Sequence, residues 1–510
     1  MTFNLAIPTQ LSIALGPDLL LMLGAMVLLL FAAWRDESAE HQRSVGVASL
    51  VLTVITLVAT IWYLYRGNTA GPGPIAVDNF RWMADIIILL GAGCTIALSI
   101  DDNERKGIHA GESHVLVLLA ASGMMLLVAA RDMMIVFLGI EVMSISIYCL
   151  AGINRRSARG AEGALKYFLL GAFSTAFLLY GIALVYGATG ATNLSVIGER
   201  IVSLNMLKSP ILLIGMALML VGFGFKVSTV PFHMWAPDVY DGSPSPITAF
   251  MAASVKAAAF VAFLRIWLEA FPAAAPSWHL AMAGLAAATM IIGNAIGLAQ
   301  RNVKRMLAYS SIGHAGYLLV AIVSSSELGA SAMLFYLLAY TLATFAAFGI
   351  VTVLEGETDK PLTLDDFAGL WTVRPWLAVG MTVAMLSLMG FPVFGGAGFM
   401  AKWYVLQAAL QAPIPQVKLA VVLVLTTVIS AGYYLYMVMV MFMRPRGEGV
   451  ALPRVTPPLT RVVIVGAVLL VLYLGVNPNW TTRAALAGTP VLSRAPVPVT
   501  NVPAGKTAGR

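Results

Sequence analysis

Charged residues are scarce: they make up 11% of the 510-residue chain, where soluble domains hold about a quarter. Cysteine is nearly absent. Cys94 and Cys149 both fall within apolar runs, which argues against a disulfide framework or a cysteine-ligated iron–sulfur site. No Walker A sequence and no dinucleotide fingerprint stands out. Of six histidines, His314 alone reads as clearly intramembrane, so a bis-histidine haem lacks its ligands. No basic segment precedes the first apolar run, and that run is long enough to span a bilayer, so no cleavable signal is expected.

What fills the chain is apolar sequence. Hydrophobic residues are 59% of it, and mean hydropathy is +0.87. Apolar runs of about 20 residues, the length that crosses a bilayer, recur almost throughout. Fourteen spans are expected at roughly 11–33, 44–65, 82–100, 114–130, 133–152, 164–186, 209–230, 246–270, 277–299, 304–325, 330–354, 376–411, 416–442 and 460–477. The chain therefore reads as an all-α polytopic membrane protein. Beyond about 478 the Pro-, Thr- and Ala-rich tail reads as irregular surface. The net charge of +7 is spread through short loops, which is no nucleic-acid patch. The odd-numbered loops hold fifteen Lys and Arg, Arg35 and Arg454 among them, against six in the even loops. The positive-inside rule then places the odd loops in the cytoplasm and both termini outside.

Residues 221–256, VGFGFKVSTVPFHMWAPDVYDGSPSPITAFMAASVK, organise the rest. An apolar run carrying Lys226 breaks at Pro231. A polar connection follows with His233, Trp235, Asp238 and Asp241, then a second apolar run carries Lys256. A lysine at membrane depth costs roughly 2.5–3.5 kcal/mol on insertion scales and so marks function. An echo lies at 386–404, LSLMGFPVFGGAGFMAKWY, broken by Gly390, Pro392 and a glycine cluster and carrying Lys402. Paired broken helices point to an inverted-repeat transporter with a midplane site. The five-span offset predicts two opposed five-helix repeats. The expected divisions are a three-helix segment at 1–113, a first repeat at 114–270, a second at 277–443, and a last helix with the tail at 444–510. Residue identity between the halves does not display the repeat.

Glu141 sits near the middle of span five, in DMMIVFLGIEVMSISIYCL. Alone and buried it would favour its neutral form, and a nearby lysine would keep it charged. The plainer reading is a hydrogen-bonded glutamate that locks two helices. Buried lysines can titrate near neutrality, so Lys226, Lys256 and Lys402 are candidate proton carriers. Lys226 could instead snorkel, and the helix break leaves the depth of Lys402 open. His314, in NVKRMLAYSSIGHAGYLL, suits a proton relay, with Ser310, Ser311 and Tyr309 able to hold water beside it; the alternative is a neutral packing histidine. His233 reads either as a relay or as a partner for carbonyls freed by the break. Lys166 pairs with Glu162 at the interface, and Lys304 and Arg305 read as positive-inside anchors.

VPFHMWAPDVYDGSPSP and its flanks resemble the subunit N branch of the antiporter-like, proton-translocating membrane subunits of respiratory NADH:quinone oxidoreductase (complex I). LGIEVMSISIYCL, SVKAAAF, NVKRMLAYSSIGHAGYLL and LSLMGFPVFGGAGFMAKWYVL resemble its fifth, eighth, tenth and twelfth helices, so the likeness covers nearly the whole chain. It implies that Glu141 and Lys226 form a first-channel pair, Lys256 a connecting lysine and Lys402 a terminal one. The sister subunit M has a glutamate at that last position, and subunit L carries a longer C-terminal extension. The implied role is proton translocation driven by quinone reduction elsewhere in the complex, in the inner membrane of a bacterium. FMN, iron–sulfur clusters and quinone would belong to partner subunits of the membrane and peripheral arms, with no cofactor in this chain. A subunit of a multi-subunit Na+/H+ antiporter, or of a ferredoxin- or F420-linked relative, is the alternative, and a haem-bearing redox enzyme lies further off. The charge count makes one test direct: a cysteine replacing Ser157 should react with impermeant thiol reagent only once the membrane is opened, and labelling in intact cells reverses the orientation.

Overall fold

The computed structural model describes residues 7–34, 38–66, 73–108, 110–356, 360–393, 395–447 and 455–479. Arg35, Arg454 and the tail beyond 479 lie outside these residues. Among the described residues every extended element is a helix. Twelve helices are long and apolar enough to cross a membrane, and two more spans are built from shorter halves. In chain order they are α1 Gly16–Ala33, α2 Ala39–Arg66, α3 Asn79–Arg105, α4 Glu112–Ala129, α5 Met133–Ala151 and α6 Ala158–Thr189. Then come α7, split into Pro210–Lys226 and Ala236–Gly242, α8 Ser245–Glu269, α9 Ala275–Leu298, α10 Val303–Val323 and α11 Glu327–Leu354. Last are α12, split into Pro375–Met389 and Ala397–Leu410, α13 Val417–Met443 and α14 Pro458–Val476. The fourteen expected spans are all present. The connection after Lys226, which the sequence showed only as polar and proline-rich, contains the second half of α7.

Several helix starts carry a side-chain cap that satisfies one of their orphan N–H groups. Asp78 accepts from the Arg81 amide at 2.8 Å, Asp132 from Met134 at 2.9 Å, Ser157 from Gly160 at 2.8 Å and Asn302 from Lys304 at 2.9 Å. Each such cap contributes about 1 kcal/mol. Ser157 is buried by this role, so the accessible labelling position for the topology test is its exposed neighbour Arg156.

The inverted repeat appears in the backbone. Met133 N donates to Thr192 O at 2.8 Å and Leu194 N to Arg131 O at 2.9 Å. In the second half, Val303 N donates to Leu362 O at 3.0 Å and Leu364 N to Arg301 O at 3.0 Å. The isolated bridges Asp132–Asn193 and Asn302–Thr363 thus recur at a constant spacing of 170 residues, from 132 to 302 and from 193 to 363. One bridge joins even-numbered loops and the other odd-numbered loops, so they close opposite ends of the bundle. Helices pack in register with this: α4 on α5 as α9 on α10, α6 on α7 as α11 on α12, α4 on α8 as α9 on α13.

α8, α10 and α11 are almost wholly enclosed, while α1, α2, α6, α13 and α14 leave large apolar side chains exposed. That exposed surface is what lipid or neighbouring membrane subunits cover. Glycine permits the closest helix contacts. A Cβ on Gly123 of α4 would sit 2.5 Å from Met143 N on α5, and one on Gly139 would sit 2.8 Å from Leu127 N. Backbone cannot yield as a flexible side chain can. Gly123→Leu should therefore destabilise the folded protein by about 1–3 kcal/mol or more, read as a lowered melting temperature, whereas the same change at Gly284, where a Cβ meets nothing within 4 Å, should not.

Candidate functional site

Three lysines lie buried in the middle of this bundle, and each meets neutral oxygen. Lys226 is the last residue of the first half of α7 and is 3% exposed, so it does not snorkel. Its Nζ donates to Ser144 Oγ at 2.6 Å and to Tyr148 OH at 3.3 Å, both on α5. Glu141 is half-buried on the same helix, one turn before Ser144. No ion pair joins Glu141 to Lys226; the carboxyl acts on the ammonium from beyond hydrogen-bond range, with Ser144 making the contact. The carbonyls freed by the α7 break are taken locally. Gly224 O accepts from Thr229 N at 2.8 Å and Phe225 O from Trp235 Nε1 at 3.1 Å. His233 lies in hydrogen-bond reach of the Pro231 backbone inside the break, and among the described residues no hydrogen bond ties it to the lysines.

Lys256 follows a π-helical turn, Met251–Val255, a distortion that recurs at functional sites. Its Nζ donates to Ser311 O at 2.9 Å and Ser311 Oγ at 2.5 Å on α10. One turn further along α10, His314 is clamped between two tyrosines: Nδ1 lies 2.6 Å from Tyr336 OH and Nε2 3.2 Å from Tyr434 OH. Tyr434 also bonds Ser310. A void of about 10 Å³, room for roughly one water, lies beside His314 and reaches Ser387 and Gly398 of α12. His314 lies within electrostatic reach of both Lys256 and Lys402.

Lys402 is enclosed by the bundle: it is 6% exposed and turns back across the α12 break. Its Nζ donates to the freed Met389 carbonyl at 2.8 Å and lies 4.6 Å from the Tyr317 ring centre. Glycine makes the room, since a Cβ on Gly390, where φ is +79°, would sit 2.8 Å from Lys402 Cδ. Among the described residues, none of the three ammonium groups is ion-paired.

Known proteins share this fold. Residues 130–443 match the family described as NADH:quinone oxidoreductase/Mrp antiporter, TM. NADH-quinone oxidoreductase subunit N of Gemmatimonas aurantiaca is 50% identical over 489 residues, 94% of each chain. The chain belongs to the subunit N family. A chain of respiratory complex I from Thermus thermophilus is 36% identical, with a TM-score of 0.78 over 92% of this chain and all of that one. A chain of the Mrp complex from a Dietzia species shares the fold alone, at 20% identity and a TM-score of 0.80, covering 93% and 98%.

Within this family frame, several contributing groups were not picked out from the sequence. Ser144, at i+3 from Glu141, could have been found by helix spacing. Tyr148, Tyr336, Tyr434 and the Met389 carbonyl arrive from separate helices and leave no local signal. His114 of α4 is likewise fully buried, against Gln42 at 2.6 Å, so His314 is not alone in the bundle.

At the end of the bundle where the odd loops lie, charges are paired instead. Glu355, just past α11, accepts from Lys106 at 2.9 Å, Ser245 at 2.6 Å and Lys304 at 3.3 Å. Lys304 is thus a buried partner rather than a free anchor, whereas Arg305 pairs with Asp238 at 2.7 Å and Lys166 with Glu162 at 2.6 Å. A cleft of about 200 Å³ opens beside Glu355 and Asp241. Burial alone would raise the Glu355 carboxyl, but Lys106 and Lys304 hold it well below the usual carboxylate range. A lowered carboxyl stabilises the fold above its ordinary titration, near 4.3 in an unfolded chain, and loses that stabilisation only as pH falls through the depressed value. Glu355→Gln should cost on the order of 3–5 kcal/mol. The melting-temperature gap to wild type should stay constant from about pH 8 to 5 and close only in stronger acid.

Proposed function

We propose that this chain carries protons across the membrane as the antiporter-like subunit N of a bacterial NADH:quinone oxidoreductase, driven by quinone reduction in other subunits. The observation that carries this reading is the set of three buried ammonium groups held by hydroxyls and carbonyls, with His314 between the last two. A lysine bonded to neutral oxygens can exist with or without its proton, whereas a lysine clamped by a carboxylate is locked. Lys226 takes the proton, Ser144 and Tyr148 receive its N–H bonds, and Glu141 sets the field around it. Lys256 and Ser311, then His314 with its two tyrosines, then Lys402 make the onward steps. One tenfold change in occupancy needs only about 1.4 kcal/mol, so a small change in the Glu141–Lys226 separation, inside a low dielectric, moves the proton. The broken ends of α7 and α12 supply the give.

In this reading the odd loops, including the Glu355 cluster, face the cytoplasm and the chain termini face outward. FMN, iron–sulfur clusters and quinone reside in partner subunits of the two arms, and the exposed apolar faces of α1, α2, α6 and α13 meet lipid or neighbouring membrane subunits. A sodium/proton antiporter subunit is the second reading, supported by the fold shared with the Mrp complex. Co-purification with flavin and iron–sulfur proteins favours the first; a set of membrane subunits without redox centres favours the second.

The deciding measurement is proton translocation and quinone reduction in vesicles carrying the assembled complex. Glu141→Gln, which keeps size and hydrogen bonding, should abolish pumping through this subunit, and Glu141→Asp should keep part of it. Ser144→Ala removes a charge-assisted bond of about 1.5 kcal/mol and should slow pumping roughly tenfold. Wild-type pumping by Glu141→Gln would leave Glu141 as helix packing.

A further inference from the structure

The first helices bury a second ionic cluster that the lysine path does not use. Arg81, in the first turn of α3, has no solvent exposure. Its guanidinium donates to Asp18 on α1 and, through Nε at 3.3 Å, to Asp85 one turn along α3. Its other terminal nitrogen donates to Ala76 O at 2.9 Å and Ala14 O at 3.4 Å, and the Trp82 ring covers it at 4.2 Å. The Asp85 side chain is 0% exposed and that of Asp18 9%. One guanidinium thus serves two carboxyl groups.

The neighbouring charges cannot make up the difference. Asp78 accepts a two-pronged contact from Arg265 at 2.9 and 3.0 Å. Glu269 accepts from Arg265 at 3.1 Å and from Arg131 at 3.1 Å. Two carboxylates meet two guanidinium groups there, so that network is neutral by itself. Burial alone would raise Asp78, but Arg265 holds it below the usual carboxylate range, and it has no proton to lend. Tyr63 of α2, which also faces the cluster, spends its hydroxyl on Ile13 O at 2.6 Å. With both aspartates ionised, the trio would carry one net negative charge in a nearly closed site.

Its oxygens point the same way. Asp18 Oδ1 and Asp85 Oδ1 are both buried and receive no hydrogen bond from another residue. An ionised carboxylate wants donors at both oxygens, and burying one without them costs several kcal/mol. Two carboxyls sharing a site relieve that by keeping one proton. A hard metal cation needs about six oxygens, and here the guanidinium bonds both carboxyl groups itself.

We propose that Asp18 and Asp85 hold one proton between them, so that the Asp18–Arg81–Asp85 trio is a buried proton-binding site separate from the Glu141–Lys402 path. Asp85 lies about 9 Å along α3 from its start, at 1.5 Å per residue. The site therefore sits close to the even-loop end of the bundle, opposite Glu355. The bound proton brings the trio to neutrality and lets Arg81 fasten α1 to α3.

The test is infrared spectroscopy of the assembled complex carrying Asp85→Asn or, separately, Asp18→Asn. With either carboxyl gone, the other ionises against Arg81. Each variant should lose one protonated-carboxyl band, one that shifts in D2O, with no loss of ionised carboxylate. Loss of carboxylate absorption with the protonated bands unchanged in both variants would overturn the proposal, and is also what a bound sodium ion gives. Asparagine is a neutral isostere of the protonated acid, so Asp85→Asn should assemble at near wild-type yield. The double variant strands Arg81 and should lose more assembled complex than the two single changes combined. Failure of Asp85→Asn to assemble while Asp85→Glu does, or failure of both single Asn variants, would show that two charges are required and would also end the proposal.

Discussion

A positive charge buried among apolar helices must find oxygen, and most carbonyls of a helix are already spent on its own hydrogen bonds. The three central lysines solve this in three ways. Lys402 reaches back to the Met389 carbonyl that the α12 break sets free. Lys226 ends the first half of α7 and meets two hydroxyls of α5. Lys256 follows a π-turn and takes both oxygens of Ser311. Each lysine therefore sits beside an irregularity in its own helix. Two glycines exist for the same reason. Gly390 leaves space for the Lys402 stem, and a Cβ on Gly398 would sit 1.8 Å from Ser387 O.

Charge is handled differently at the ends of the bundle. There Glu355 joins Lys106 and Lys304, and Arg265 joins Asp78 and Glu269. Such pairs are costly to break, because either partner left alone is an uncompensated buried charge. They fasten α3, α8, α10 and α11 to one another and hold the frame still. In the middle, hydroxyls and carbonyls replace carboxylates as partners, which in the proposed function leaves the lysines free to exchange protons. Rigid ends and an exchangeable centre are what a chain of proton carriers requires.

The two repeats show how one scaffold supports unlike chemistry. At the spacing of 170 residues that relates the bridges, Glu141 corresponds to Ser311 and Ser144 to His314. The first half places a carboxyl and a hydroxyl where the second places a hydroxyl and an imidazole. The residue three positions further along meets Lys226 in the first half and two tyrosines in the second. The Arg131-Asp132 and Arg301-Asn302 pairs that open α5 and α10 are the residue-level trace of the repeat. They are too short to notice until the bridges show that both perform the same backbone task.

The sequence by itself determined the spans, the two broken helices and the three central lysines. Bilayer thickness demands about 20 apolar residues, proline with clustered glycine marks a break, and a lysine within such a run is costly enough to stand out. Those signals are local, so they survive in one dimension. The tertiary structure alone decided who answers each charge. Lys226 meets Ser144 and Tyr148 rather than Glu141 directly, His314 lies between tyrosines from α11 and α13, and Lys304 is a buried ion-pair partner. The same holds for the Asp18–Arg81–Asp85 trio, whose members come from two helices more than sixty residues apart in sequence. Partners of this kind are chosen by helix packing and rotation, and a tyrosine or serine on an apolar helix looks the same in sequence whether it faces lipid or a lysine.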